Sequence, residues 1–154
     1  MIQGLIDELK KGAGMSRIKA AADLGKLKDK RAIKALIEAL SDPIMGVRSN
    51  AAFALGELAS REAIPHLIKV LKDPEERARK SAAKALGMIG AAAALSPLIG
   101  ALGDTSYRVR KSAIRSLGQI GGLKALHAVE QLVTDPNIIV ADSARKVVEE
   151  FGKK

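Results

Sequence analysis

Cysteine and tryptophan are absent from this chain of 154 residues, and Phe53, Tyr107 and Phe151 are its only aromatics. Without cysteine there is no disulfide framework, thiolate zinc site, iron–sulfur cluster or cysteine nucleophile. Three aromatics are too few for the stacking platforms that grip single-stranded nucleic acid. Every apolar stretch is broken by Gly or Pro well short of the roughly 18–20 residues that a bilayer crossing needs. The first twenty residues carry Asp7 and Glu8 in an amphipathic pattern, which is not that of a signal peptide. These absences lead to the expectation of a soluble, cytoplasmic protein.

What the chain has in quantity is Ala, Leu, Ile and Val, which make up most of its 47% hydrophobic share. That share excludes a disordered chain, and the length suits one domain with a real core. Lys and Arg outnumber Asp and Glu by 26 to 17, a formal charge of +9.

The residues recur every 31 positions. Asp42-Pro43, Asp73-Pro74, Asp104-Thr105 and Asp135-Pro136 share one register, as do Arg17, Arg48, Arg79 and Arg110. Gly25, Gly56, Gly87 and Gly118 form another column, and Ala20, Ala51, Ala82, Ala113 and Ala144 run unbroken. Each unit holds two helical patterns. In the first, Val47, Ala51, Leu55 and Leu58 form one apolar stripe, with Asp42 as N-cap and Pro43 at the first helical position. Gly56 falls inside the last turn, where Gly costs about 1 kcal/mol relative to Ala. Four such glycines in register predict close approach by a neighbouring helix. Gly90, Gly121 and Gly152 are then expected to take the left-handed cap. The second helix is shorter, with Ile64, Leu67, Ile68 and Leu71 on its buried face.

Four full units (11–41, 42–72, 73–103 and 104–134) thus lie between half units at 1–10 and 135–154. Neither helix of a pair can bury its apolar face alone, so neighbours must stack into a continuous core. The prediction is an all-α fold, an α-solenoid of about ten helices. Asp23, Glu130 and Glu149 replace small or apolar residues in the outermost units, which predicts polar capping faces.

Residues 42–71, with Asp42, Pro43, Val47, Arg48, Ala51, Ala52, Ala54, Leu55 and Gly56 followed by Ala63, Ile64, Pro65, Leu67, Ile68 and Leu71, resemble HEAT-like repeats of the phycobilisome-lyase type. The resemblance implies a right-handed superhelix with first helices on the convex side and second helices lining the concave side. It also implies a structural ladder in which Arg48, Arg79 and Arg110 pair with Asp42, Asp73 and Asp104. Lys11-Gly12 and Ala141 depart from the pattern at the ends.

The enzymatic relatives of this architecture leave traces that can be sought. Di-iron hydroxylases need several His-Glu pairs, whereas His66 and His127 lie about two repeats apart, too far to share a metal. No phosphate loop, nucleophile elbow or metal-ligand cluster appears. The expectation is a protein without catalytic residues, metal or cofactor.

Two surfaces remain as candidates for binding. The concave one draws on outward positions of the second helices: Lys34, Glu38, His66, Lys69 and Val70, then Pro97, Gly100, Ala101, Gln131 and Leu132. Its small residues around Pro97 would let a partner helix or extended segment approach. The other is basic: Arg77, Lys80 and Lys84 share one face of a first helix, Arg108, Lys111 and Arg115 repeat that stripe, and Lys146 extends it. Residues 72–102 and 103–133 carry +2 and +3. The leading expectation is a protein–protein interaction module using the concave face, either monomeric or a weak homodimer. The alternatives are a nucleic acid or other polyanion on a convex basic patch, and an accessory subunit of a lyase-like complex.

Overall fold

The computed structural model describes residues 1–153. Among them are ten α-helices: α1 (Ile2–Lys11), α2 (Gly14–Leu27), α3 (Ile33–Ala39), α4 (Met45–Glu57), α5 (Ile64–Val70), α6 (Glu76–Ile89), α7 (Leu95–Ala101), α8 (Tyr107–Ile120), α9 (Leu123–Glu130) and α10 (Ile138–Gly152). The even-numbered helices are the long first helices of the units, and the odd-numbered ones are the second helices. A single 3₁₀ turn leads into each of α3, α5 and α7. One core runs the length of the stack, with Leu24, Leu55, Leu86 and Leu117 fully buried from successive first helices, and Leu36, Leu67 and Leu98 from successive second helices.

The first helices begin later than the sequence suggests. Asp42 is not the N-cap, and Pro43 precedes the helix. The Asp42 carboxylate accepts from the Ile44 N–H at 2.8 Å, and α4 starts at Met45. Asp73, Asp104 and Asp135 do the same for Glu75, Ser106 and Asn137. Each aspartate therefore closes a turn that feeds the helix, and the cap position falls two residues later. There Ser106 accepts from the Arg108 N–H and Asn137 from the Ile139 N–H.

The left-handed positions also differ in part from expectation. Gly90 has φ +72° and closes α6 in the left-handed conformation, as predicted, whereas Gly121, at φ +80° but ψ −171°, does not take it. Gly152 remains in α10. The same register one and two units earlier places Lys28 at φ +52° and Ala59 at φ +50°, where a β-carbon is unfavourable. The geometry belongs to the repeat, and only some units supply the residue that suits it.

The in-register glycines lie where helices converge. A β-carbon on Gly56 would fall 2.8 Å from Ala85 Cα, and one on Gly25 would fall 2.9 Å from Ala54 Cα. Gly87 faces Ser116 in the same way, and Ser116 donates to the buried Ala83 carbonyl at 2.7 Å. First helices consequently pack backbone to backbone along the stack, α2 on α4, α4 on α6 and α6 on α8, while α3 and α5, like α5 and α7, barely meet. In a curved double layer, the layer with the closer spacing is the inner one. The first helices therefore line the concave side. The expected assignment, with second helices inside, is reversed, because the Gly and Ala columns that permit close approach lie on the first helices.

The ends terminate in charge. Glu130 and Glu149 are exposed, the latter near Lys153, and Asp23 pairs with Lys19 at 3.0 Å.

Candidate protein-binding surface

The arginine column forms a ladder, though not with the partners expected. Arg48 pairs with Asp73 rather than Asp42, through Nε and Nη2 at 2.7 and 3.0 Å. Arg79 grips Asp104, and Arg110 grips Asp135, in the same two-pronged way. Arg17 begins the series on Asp42. Each third nitrogen turns back to its own unit, Arg48 Nη1 donating to the Asp42 carbonyl at 2.9 Å and Arg79 Nη1 to the Asp73 carbonyl at 3.0 Å. One guanidinium thus ties the turn of its own unit to the turn of the next, using the planar fork that lysine lacks.

The titration behaviour follows. Hydrogen bonding to Asp73 raises Arg48, and hydrogen bonding to Asp104 raises Arg79, in each case against partial burial. Burial pushes the Asp73 carboxyl up, but the Arg48 hydrogen bonds, the Glu75 N–H and the nearby Arg48 and Arg79 charges outweigh it and hold it below its ordinary value. Asp135 is lowered in the same manner, with Arg110 and the Asn137 N–H overcoming burial. This ladder is structural: its groups are saturated by one another.

The basic residues converge on the inner layer. A cleft of about 360 Å³ beside α6 and α8 is lined by Lys80, Lys84, Arg108, Lys111 and Arg115 together with Met88 and Tyr107. A wider cleft of about 960 Å³ beside α8 and α10 shares Lys111 and Arg115 and adds Arg145, Lys146, Ile138 and Ile139. Six of the seven residues read from sequence as a basic patch therefore border two adjoining clefts. Arg77 is exposed but lines neither. The patch lies on the concave side, not the convex one.

Some of this charge is already engaged. Arg108 lies 3.7 Å from Glu76 and covers the Tyr107 ring, while Lys146 pairs with Asp142 at 3.1 Å. Lys84 sits 5.2 Å from the Phe53 ring centre. Lys80, Lys111 and Arg115 have no carboxylate partner among the described residues.

The sequence reading missed the apolar part of this surface. Ile138 is 77% exposed, Ile139 45% and Met88 37%. For Met88 the signal lay in its 31-residue column, where Lys26, Glu57, Gln119 and Glu150 stand in the other units, whereas Ile139 shares its column with the exposed Met15. An apolar residue in an otherwise polar column, as at Met88, marks a surface that differs from its neighbours.

The surface drawn from the second helices is less coherent. Lys34, Glu38, His66, Lys69, Gly100 and Gln131 are exposed, and Pro97 and Leu132 are half-buried. Val70 and Ala101 are buried, contrary to expectation, because their column, shared with Ala39, turns inward. Glu38 reaches Lys10 at 3.9 Å. His66 and His127 are both exposed, and among the described residues no group of three or more His, Asp or Glu side chains could hold a metal. No described helix is long and apolar enough to cross a membrane.

Stacked helix pairs that share one continuous core define a class, the α-solenoids. The pattern of HEAT repeats matches residues 2–83 and 64–149, and the chain belongs to the HEAT-repeat family. A comparison with curated proteins gives no sequence match. Among solved structures, a chain in the complex of CpcE and CpcF of phycocyanin lyase from Nostoc sp. PCC7120 aligns over 100% of this chain with a TM-score of 0.88 and 28% identity. This chain spans 66% of that one, just under two thirds of its length. A designed armadillo repeat protein in complex with the peptide (KR)4 aligns over 97% of this chain and 81% of its own, with a TM-score of 0.71 and 23% identity. Human deoxyhypusine hydroxylase aligns over 99% and 74%, with a TM-score of 0.61 and 20% identity. These last two share the fold.

Proposed function

We propose that the chain is a non-catalytic scaffold module that binds a protein partner on its concave side, through the first helices of its later units. The observation that carries this reading is the exposure of Ile138, Ile139 and Met88 beside the two clefts of the inner layer. Clustered exposed apolar side chains rimmed by polar groups are characteristic of an interaction surface. Gentle affinity purification of the native protein tests the reading: a stoichiometric partner is expected, and it is lost with Ile139→Ser. A partner retained equally by that variant, or a chain that elutes alone, overturns it.

A second reading is that the partner is another solenoid subunit and that the pair forms a lyase-like assembly. Its support is the CpcE and CpcF complex, in which a structurally similar chain has a companion subunit. Catalysis would then require the companion, so the isolated chain is expected to show no lyase activity and the reconstituted pair to show it.

A further inference from the structure

We infer that the inner surface formed by α6, α8 and α10 binds an acidic peptide segment that also carries apolar side chains. The inference rests on the scaffold reading and specifies the chemistry of the partner.

The clefts together present seven basic side chains against two acidic ones, Asp142 and Glu150. The imbalance falls at their shared wall, where Lys111 and Arg115 project from α8 into both. Like charges held this close repel, and the field they create favours an anionic occupant. Charge alone would suit any polyanion. The apolar groups narrow the choice, because a phosphodiester backbone offers nothing to cover Ile138, Ile139 and Met88. A single-stranded nucleic acid would want bases stacked on aromatics, and the one aromatic bordering the clefts, Tyr107, is already covered by its neighbour Arg108 at 4.7 Å. Aliphatic side chains flanked by carboxylates satisfy both halves of the surface. The narrower cleft, at about 360 Å³, is at the low end of the 300–1,000 Å³ typical of small-ligand pockets, a size that suits a few side chains rather than a whole helix. Three helices at roughly 10 Å spacing span about 20 Å, which an extended strand of about six or seven residues covers.

A display library of random peptides about twelve residues long, selected on the full chain, tests the inference. Enrichment of sequences combining several Asp or Glu with Leu, Ile, Val or Phe is expected. The best peptide, labelled for fluorescence anisotropy, is expected to lose at least tenfold in affinity when its apolar residues become Ser. A comparable loss is expected on the protein side with Lys111→Glu/Arg115→Glu and with Ile139→Ser. Both variants alter exposed or half-buried positions, and circular dichroism checks that the helices are retained. Affinity is expected to weaken with salt. Enrichment of neutral or basic peptides, no enrichment, indifference to the apolar residues, or tighter binding of duplex DNA than of the selected peptide overturns the inference. A native partner that survives Lys111→Glu/Arg115→Glu but is lost with Ile139→Ser would refute the acidic chemistry while leaving the scaffold reading intact.

Discussion

Replacing Gly56 by alanine sets two effects of known size against each other. In an exposed helix interior, alanine is favoured over glycine by about 1 kcal/mol. In this stack the new β-carbon would fall 2.8 Å from Ala85 Cα and 2.9 Å from its Cβ. Carbon atoms rest at about 3.5–4.0 Å, so α4 and α6 would have to part by roughly 0.7–1.2 Å. The obstructing atom is backbone, and α4 cannot retreat freely, since Gly25 on α2 sits equally close to Ala54 on its other side. Overpacking of well-filled interiors costs about 1–3 kcal/mol, and a clash with backbone belongs in the upper half of that range. The expected net loss is about 1–2 kcal/mol. For a chain of this size that lowers Tm by roughly 2–8 °C.

Gly118→Ala is the internal control. It occupies the same column, but the nearest atoms are the Val147 methyls at 3.2 and 3.3 Å, on the terminal helix α10. A shift of a few tenths of an ångström relieves that contact, so the helix-propensity gain survives and the variant is expected to be neutral or up to about 1 kcal/mol more stable. Urea unfolding of both variants beside the parent, followed by circular dichroism, measures the difference. If Gly56→Ala stabilises as much as Gly118→Ala, the close packing of the inner layer is refuted.

Arg79→Lys keeps the charge but loses the fork on Asp104 and the bond to the Asp73 carbonyl, and a loss of about 1–3 kcal/mol is expected in urea unfolding. Ala59→Gly relieves the left-handed backbone at φ +50° and is expected to gain about 0.5–1 kcal/mol, seen as a higher Tm. Asp73 and Asp135 are held below their ordinary value of 3.8 in the folded chain, so the unfolded chain takes up protons first as pH falls. Their stabilisation is therefore fully present above that value and disappears as pH drops through the lower folded values. The urea midpoint is expected to stay level in this respect down to about pH 5 and to decline below about pH 4.

The fold was legible because it is stated repeatedly. The Ala20 to Ala144 column, the Gly25 to Gly118 column and the Leu-rich stripes each mark a buried position several times over, and chance does not preserve register across 31-residue steps. What could not be read was geometry that depends on the next unit. The Asp42 turn looks like an N-cap in one dimension, but its carboxylate is shared between the Ile44 N–H and Arg17 of the preceding unit. Arg48 lies six residues from Asp42 and 25 from Asp73, and sequence proximity favoured the wrong partner. The two layers were exchanged for a related reason. Helix length and polarity do not say which layer is inner, whereas the spacing permitted by Gly and Ala does, and that is a property of pairs of units. The basic stripe was legible as a helical face, but its apolar companions were not: Met88 is a single departure in its column, while Ile138 and Ile139 share theirs with Met45 and Met15, so no contrast between units marks them.

The same contrast between columns bears on function. Positions that build the stack are nearly invariant from unit to unit, and the Arg–Asp ladder fixes how each unit sits on the next. Small rotations per unit accumulate along a solenoid, so bonds that fix the unit-to-unit angle also fix the width of any cleft between first helices. A cleft held at fixed width loses less entropy when it closes on a partner. Positions that differ between units, Met15, Arg77, Arg108 and Ile139 in one column and Lys26, Met88, Gln119 and Glu150 in another, are exposed beside the space that this framework holds open. Their differences place exposed apolar groups beside the basic clefts of the later units, whereas Met15, the exposed apolar residue of the same column on α2, stands apart from those clefts. A solenoid that served only as a spacer would have no physical reason to concentrate exposed isoleucine beside unpaired Lys111 and Arg115. A partner with both carboxylates and aliphatic side chains supplies that reason.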